Sequence, residues 1–192
     1  MPTGWSDPNG DPEGYDFQWA KWDGAAFQDL VGETGETLAS SNFARGDTLR
    51  VTCWPNDGAL QGAPVTDEYT VANAVPRIGW VQITPDPATT GDTLGVTTGP
   101  WNDGDADPEG YHYQWSKWVG PDEFDFQDIP GATGPTLTPD HFVRGDRIAV
   151  DVTPFDGIDE GMSVTDEVTI ANGLPSVASV AITPDPALTS DN

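Results

Sequence analysis

The chain says most things twice. "DPEGYDFQWAKW" at 11–22 returns as "DPEGYHYQWSKW" at 107–118, and "FQDLVGETGETL" at 27–38 returns as "FQDIPGATGPTL" at 126–137. "FARGDTLRV" (43–51) becomes "FVRGDRIAV" (142–150), "VTDEYTVAN" (65–73) becomes "VTDEVTIAN" (164–172), and "VQITPDPA" (81–88) becomes "VAITPDPA" (180–187). The offset is 96 early and 99 later, because "GPDEFDF" carries three extra residues. A unit of about a hundred residues is domain-sized, so the chain is a tandem of domains.

The phase of the repeat sets the boundaries. A unit opens at "ITPDPATTGDTLGVTT" (83–98), ahead of its acid-rich loop, whereas the chain starts at Met1, just before such a loop. This predicts a first unit over 1–75 without its opening strands and a second over 76–174. Residues 175–192 then supply the opening strand of a third. The pattern reads as a window on a longer array, or as a deliberate shift of phase.

Alternation with period two, bounded by turn residues, predicts strands near 78–84, 92–98, 111–118, 124–129, 135–138, 147–153 and 163–171 of the second repeat. Helical periodicity is absent. With 22 Gly and 18 Pro for turns, and eight Trp, seven Phe and four Tyr for cores, the class is all-β. Seven short antiparallel strands per unit predict tandem immunoglobulin-like sandwiches. Tyr111, Tyr113 and Trp115 share one strand face, as do Tyr15, Phe17 and Trp19, and both Trp are expected to be fully buried. Ile148, Val150 and Val152, and their counterparts Leu49, Val51 and Cys53, are expected to face them. Cys53, the only cysteine, is thereby a small buried hydrophobe, and no intrachain disulfide exists.

The "YxYQW" strand, the "GATGPTL" hairpin and the "F-x-RGD…V-x-V-x-P-x-DG" stretch resemble bacterial immunoglobulin-like repeats of large cell-surface and secreted proteins. The acid run before the aromatic strand is similar to loops of polycystic-kidney-disease-type and cadherin-like repeats. The resemblance implies a tandem module in an extracellular stalk, adhesin or surface assembly, in some cases with Ca²⁺ at its loops.

Net charge is -25, from 32 acids against 7 bases. Such a surface repels nucleic acid and anionic membranes and favours cations. No apolar run is long enough to span a bilayer. Asp7, Asn9, Asp11 and Glu13 fall at alternate positions, matched by Asp103, Asp105, Asp107 and Glu109. Alternate oxygen ligands converge on one hard cation when a loop curls, which points to Ca²⁺. A sandwich places the loops holding Asp57, and Asp156, Asp159 and Glu160, at the same end. A cation there would stiffen the junction near 73–80. The other reading is a solvated acidic turn, rich in Asp, Asn, Pro and Gly for backbone reasons.

The remaining motifs read structurally. "RGD" at 45–47 and 144–146 sits where a turn enters a strand, with Gly at positive φ. "PDP" at 85–87 and 184–186 is a stiff break. Trp5, Trp22, Trp54, Trp80, Trp101 and Trp118 include outward-facing candidates, but Trp54 aligns with Thr153 and Trp80 with Ser179, so no aromatic platform repeats. His112 aligns with Asp16 and His141 with Asn42, and no nucleophile–base set can be assembled, so no enzyme is expected.

The expectation is a structural extracellular repeat, with neighbouring repeats or copies of itself as partners. The alternative is a ligand-binding module for carbohydrate or a protein receptor. A first unit short of strands leaves an apolar groove, and "SVASVAIT" (176–183) is a spare strand of the right identity. Donated to the next molecule it would build a head-to-tail filament, imperfectly, because 184–192 stop before a full second strand.

Overall fold

Alternating small polar and large apolar residues settle into antiparallel ladders throughout the computed structural model, which describes residues 2–181. In the first repeat, β1 (Gly14–Trp22), β2 (Phe27–Asp29), β3 (Thr48–Asn56) and β4 (Val65–Thr70) make one sheet in the order β2-β1-β3-β4. Trp19 lies opposite Val51, and Phe17 opposite Cys53, on β1 and β3.

The second repeat builds the same sheet from β9 (Tyr111–Trp118), β10 (Phe126–Asp128), β12 (Arg147–Pro154) and β13 (Val164–Thr169), in the order β10-β9-β12-β13. Trp115 lies opposite Val150, the counterpart of the Trp19–Val51 pair. A second sheet is added by β6 (Val81–Thr84), β7 (Leu94–Thr98) and β11 (Thr136–Leu137), in the order β11-β7-β6. Two short strands, β5 (Arg77–Ile78) and β8 (Trp101–Asn102), pair with each other. Two single 3₁₀ turns, Ser40–Asn42 and Pro139–His141, are the only helical pieces among the described residues. The fold is all-β and immunoglobulin-like, as the alternation predicts.

The core lies between the sheets of the second unit. Ile83, Leu94, Trp115, Leu137, Ile148, Val150 and Val152 are essentially sealed from solvent. The face expected to bury its aromatics therefore does so there. In the first unit Leu49 and Cys53 are buried, but Phe17, Trp19 and Val51 remain half-exposed. The expected full burial of Trp19 is thus corrected. Its strand is in register, but the first unit has no counterpart of β6 and β7 among the described residues to lie over it.

By compactness the chain divides into two units. One comprises the chain up to Arg77 with Asn102–Gly110 and Phe155–Gly161; the other comprises Ile78–Trp101, Tyr111–Pro154 and the chain from Met162. The acidic loops at 102–110 and 155–161, in the second repeat by sequence, thus cluster with the first unit.

Candidate metal centre

The acidic loop before β1 is folded by its own first aspartate. Asp7 Oδ1 accepts hydrogen bonds from the amides of Asn9 and Gly10 at 2.7 Å each and of Asp11 at 3.2 Å. Asp103 does the same for Asp105 at 2.8 Å and Asp107 at 3.1 Å. The loops after β3 and β12 close in the same way. Asp57 Oδ1 accepts from Ala59 and Leu60, at 2.8 and 2.6 Å, and Asp156 Oδ1 accepts from Ile158 and Asp159 at 2.7 Å each. Each of these aspartates spends one oxygen on its loop and keeps the other to point elsewhere.

The result is the same cluster twice. Asp7, Asp11 and Asp57 bring one carboxylate oxygen each within 4.8 Å of one another, and so do Asp103, Asp107 and Asp156. These are equivalent positions of the two repeats, and they are the only such groups among the described residues. The second is the more enclosed, with Asp156 only 3% exposed. Asp103 Oδ2 is buried with no hydrogen-bond partner among the described residues.

Other acids named from the alternation are placed differently. Glu13 accepts from the Tyr15 hydroxyl, which holds that phenol's pKa up at about 12. Asp105 Oδ2 accepts from the Ala74 amide at 2.7 Å, and Asp159 Oδ2 from the Asn73 side chain at 3.0 Å. Asn9 contributes its backbone amide to the Asp7 turn. Glu109 and Glu160 are not members of the three-carboxylate groups.

The alternation did not reveal one partner. The Arg45 guanidinium pairs with Asp107 and donates to Asn73 Oδ1 at 2.6 Å, and Asp107, Asp105 and Asp156 raise its pKa. Asn73 in turn donates to Asp156 Oδ2 at 2.7 Å. Burial pushes the Asp156 carboxyl up, but the Asn73 amide and the Asp159 and Ile158 amides outweigh it, leaving the pKa below its ordinary value. For Asp57 the Leu60 and Ala59 amides lower it against the opposing effect of burial. The signal for Arg45 lay in the RGD turn. Gly46 and Gly145 hold φ of 84° and 92°, and Asp47 and Asp146 cap the turns and pair with Lys21 and Lys117. The turn is structural and aims its arginine outward.

Two of the outward aromatics, Trp22 and Trp118, are engaged locally, whereas Trp80 is 48% exposed. Trp22 packs on Phe27 at 5.1 Å with Arg50 stacked over the Phe27 ring, and Arg147 lies over both Trp118 and Phe126. The Trp118 indole donates to the Asp122 carbonyl at 2.6 Å.

Three converging carboxylates can bind a hard divalent cation. Among the described residues no helix is long and apolar enough to cross a membrane.

The chain matches no family model and no curated protein sequence. Among solved structures it is similar to a two fibronectin type-III domain segment from chicken tenascin, at 13% identity over 83% of this chain and 85% of that one, with a TM-score of 0.34. It is also similar to the FN1–FN3 domains of chicken CNTN1, at 12% identity over 90% of this chain and 61% of that one, again with a TM-score of 0.34. Overlaps this loose carry no functional argument.

Proposed function

We propose that the chain is a non-enzymatic structural module of an extracellular or cell-surface array, made of immunoglobulin-like repeats that bind Ca²⁺ at their acidic loops and join to copies of themselves. The observation that carries this reading is the recurrence of one carboxylate triad, Asp7–Asp11–Asp57 and Asp103–Asp107–Asp156, at equivalent places. Each triad draws its carboxylates from two separate loops, Asp7 and Asp11 from one with Asp57 from the other, and Asp103 and Asp107 from one with Asp156 from the other.

The donor set fits Ca²⁺. It is all oxygen and anionic, and Asp103 of the second triad has an enclosed oxygen, Oδ2, that no donor among the described residues satisfies. Bound there, Ca²⁺ would supply the positive charge that lets three carboxylates share one site. It would also clip the loops at 102–110 and 155–161 together beside Asn73 and Ala74, stiffening that segment. Extracellular modules work with modest affinities, about 10⁻⁴–10⁻³ M, matched to the Ca²⁺ outside cells. The polycystic-kidney-disease-type and cadherin-like character of these loops belongs to the same proposal.

Thermal melting in Ca²⁺ and in chelator at matched ionic strength tests the reading. A ligand that binds only the native state adds RT ln(1 + [L]/Kd), about 2.7 kcal/mol at a hundredfold excess over Kd. A Ca²⁺-dependent rise of several degrees is expected, lost in Asp156→Asn combined with Asp57→Asn. Superimposable curves would remove Ca²⁺ from the proposal. The alternative, a module for carbohydrate or a protein receptor, has no comparable observation behind it.

A further inference from the structure

The two repeats differ most in what covers their shared sheet. Val168 on β13 is 7% exposed, whereas its counterpart Tyr69 on β4 is 66% exposed. Leu137 and Phe142 are buried, whereas their counterparts Leu38 and Phe43 are half-exposed. The uncovered face of the first unit holds two hollows of about 500 and 310 Å³, lined by Phe17, Trp19, Leu38, Phe43, Val51 and Cys53. Asp67 lines both.

The second unit shows what fits such a face. Ile78, Val81, Ile83 and Ala88 are buried in the core around Trp115. The strand β6 is pinned from the neighbouring sheet, because the Ile83 amide donates to Asp166 Oδ2 at 2.7 Å. Asp166 is the counterpart of Asp67, which is exposed on β4 and, among the described residues, accepts the adjacent Glu68 amide. Among the described residues, the first unit therefore has the anchoring carboxylate without the strand it anchors.

The chain carries that strand a second time. Residues 177–187 put Val177, Val180, Ile182 and Ala187 at the positions of Ile78, Val81, Ile83 and Ala88. Val177 and Val180 are 81% and 92% exposed, and lie in no strand; Ile182 and Ala187 fall outside the described residues. The segment has one acid, Asp185, so it approaches a very acidic molecule with little repulsion.

We propose that the open face of the first unit is a docking groove for residues 177–187 of a second copy of this chain, laid in the register of β6 with the Ile182 amide bonded to Asp67. Val180 and Ile182 fill the hollows over Trp19, Val51 and Cys53. The contact joins different surfaces on the two copies, so it repeats from molecule to molecule as an open filament or a closed ring. Thr37–Leu38, the counterpart of β11, stays unpaired in this arrangement, because its partner would be a β7-type strand.

This inference rests on the reading of the chain as a self-joining module, and its test does not involve Ca²⁺. Sedimentation velocity of the full chain over a wide concentration range should show species in multiples of 20.4 kDa. A chain ending at Leu174 leaves every described strand intact, and should remain a monomer, smaller than the 20.4-kDa full chain, that binds a synthetic peptide of residues 175–192. Asp67→Ala, at an exposed position, should weaken that peptide about tenfold, as loss of a charge-assisted hydrogen bond does. Ile182→Asp in the peptide should abolish binding. Oligomers that survive the truncation, or a full chain that stays monomeric at every concentration, overturn the proposal. Melting of the truncated chain with and without Ca²⁺ reports separately on the metal reading.

Discussion

Trp115 and Trp19 donate the same indole hydrogen bond, to the carbonyls of Gly134 and Gly35, at 2.9 Å each, yet only Trp115 is sealed from solvent. The backbone around them is equally alike. The backbone carbonyl of each accepts the amide of the residue just after the next hairpin strand, Ile129 in one case and Leu30 in the other. Sheet register and hairpin geometry are therefore local properties, written into each copy and achieved with or without a covering sheet. Burial is not local, because it depends on the strands that lie over the indole.

This separation predicts unequal costs. Trp115→Ala should destabilise the second unit by about 3–5 kcal/mol, the usual loss for a large buried aromatic. Trp19→Ala should cost clearly less, since the indole already keeps solvent on one side. Urea titration of the two variants, followed by circular dichroism, measures both. Equal losses would mean that the first unit is covered in solution by something else.

Most strands and the core face of the second repeat were legible in the sequence, because period-two alternation reports which face of a strand is buried wherever a cover exists. The stretch 78–84 divides into β5 and β6, and the two-residue β8 is too short to show any alternation. The alternation cannot say whether the cover is present, so Trp19 looked the same as Trp115. The acidic loops were legible as candidates for the same reason, since spacing reveals oxygens that can converge. Which oxygens do converge was hidden. Asp11 and Asp107 join the triads while Glu13 turns to Tyr15, and that choice is made by loop curvature and a neighbouring hydroxyl. Arg45 was missed because its partner Asp107 is 62 residues away in the chain.

One position that both acidic loops hold at positive φ carries different residues. Gly10 has φ of 79°, and its counterpart Ala106 holds φ of 60°. An L-residue in that left-handed region costs about 1–2 kcal/mol relative to glycine. Ala106→Gly should therefore stabilise the chain by up to about 1 kcal/mol, after the extra backbone entropy of glycine in the unfolded state is subtracted. Gly10→Ala should destabilise by a similar amount. Chemical denaturation midpoints at unchanged m-value would check both signs.

Acid should loosen the loops. Asp57 and Asp156 have pKa values below the ordinary 3.8, held down by loop amides and, for Asp156, by the Asn73 amide against the opposing effect of burial. Asp47 is lowered too, by the Ala44 amide and Lys21. A carboxylate whose folded pKa is depressed adds stability that is complete above its unfolded value and disappears as pH falls through the folded value. Melting temperature in chelator should be insensitive to these groups above about pH 5 and should drop below about pH 4. Asp57→Asn should lower stability at neutral pH and flatten part of that acid drop. An unchanged drop in the variant would remove Asp57 from the account.

Arg45 sits where a cation would compete with it. Its guanidinium is paired with Asp107, one of the three carboxylates of the second triad, whereas no arginine or lysine is ion-paired to Asp7, Asp11 or Asp57 among the described residues. If Ca²⁺ binds both triads, it meets a partly neutralised site in one and an unneutralised site in the other. Arg45→Ala should raise affinity at the Asp103–Asp107–Asp156 site by roughly two- to fivefold, what a partly exposed ion pair is worth, and leave the first site unchanged. High salt should shrink the difference, because screening weakens the arginine's hold on a partly exposed partner. Calorimetric titration of the variant, with the first triad removed by Asp7→Asn and Asp57→Asn, isolates the second site. An affinity that stays the same would show that Arg45 moves aside freely, and that the pair with Asp107 is an alternative to the metal in name only.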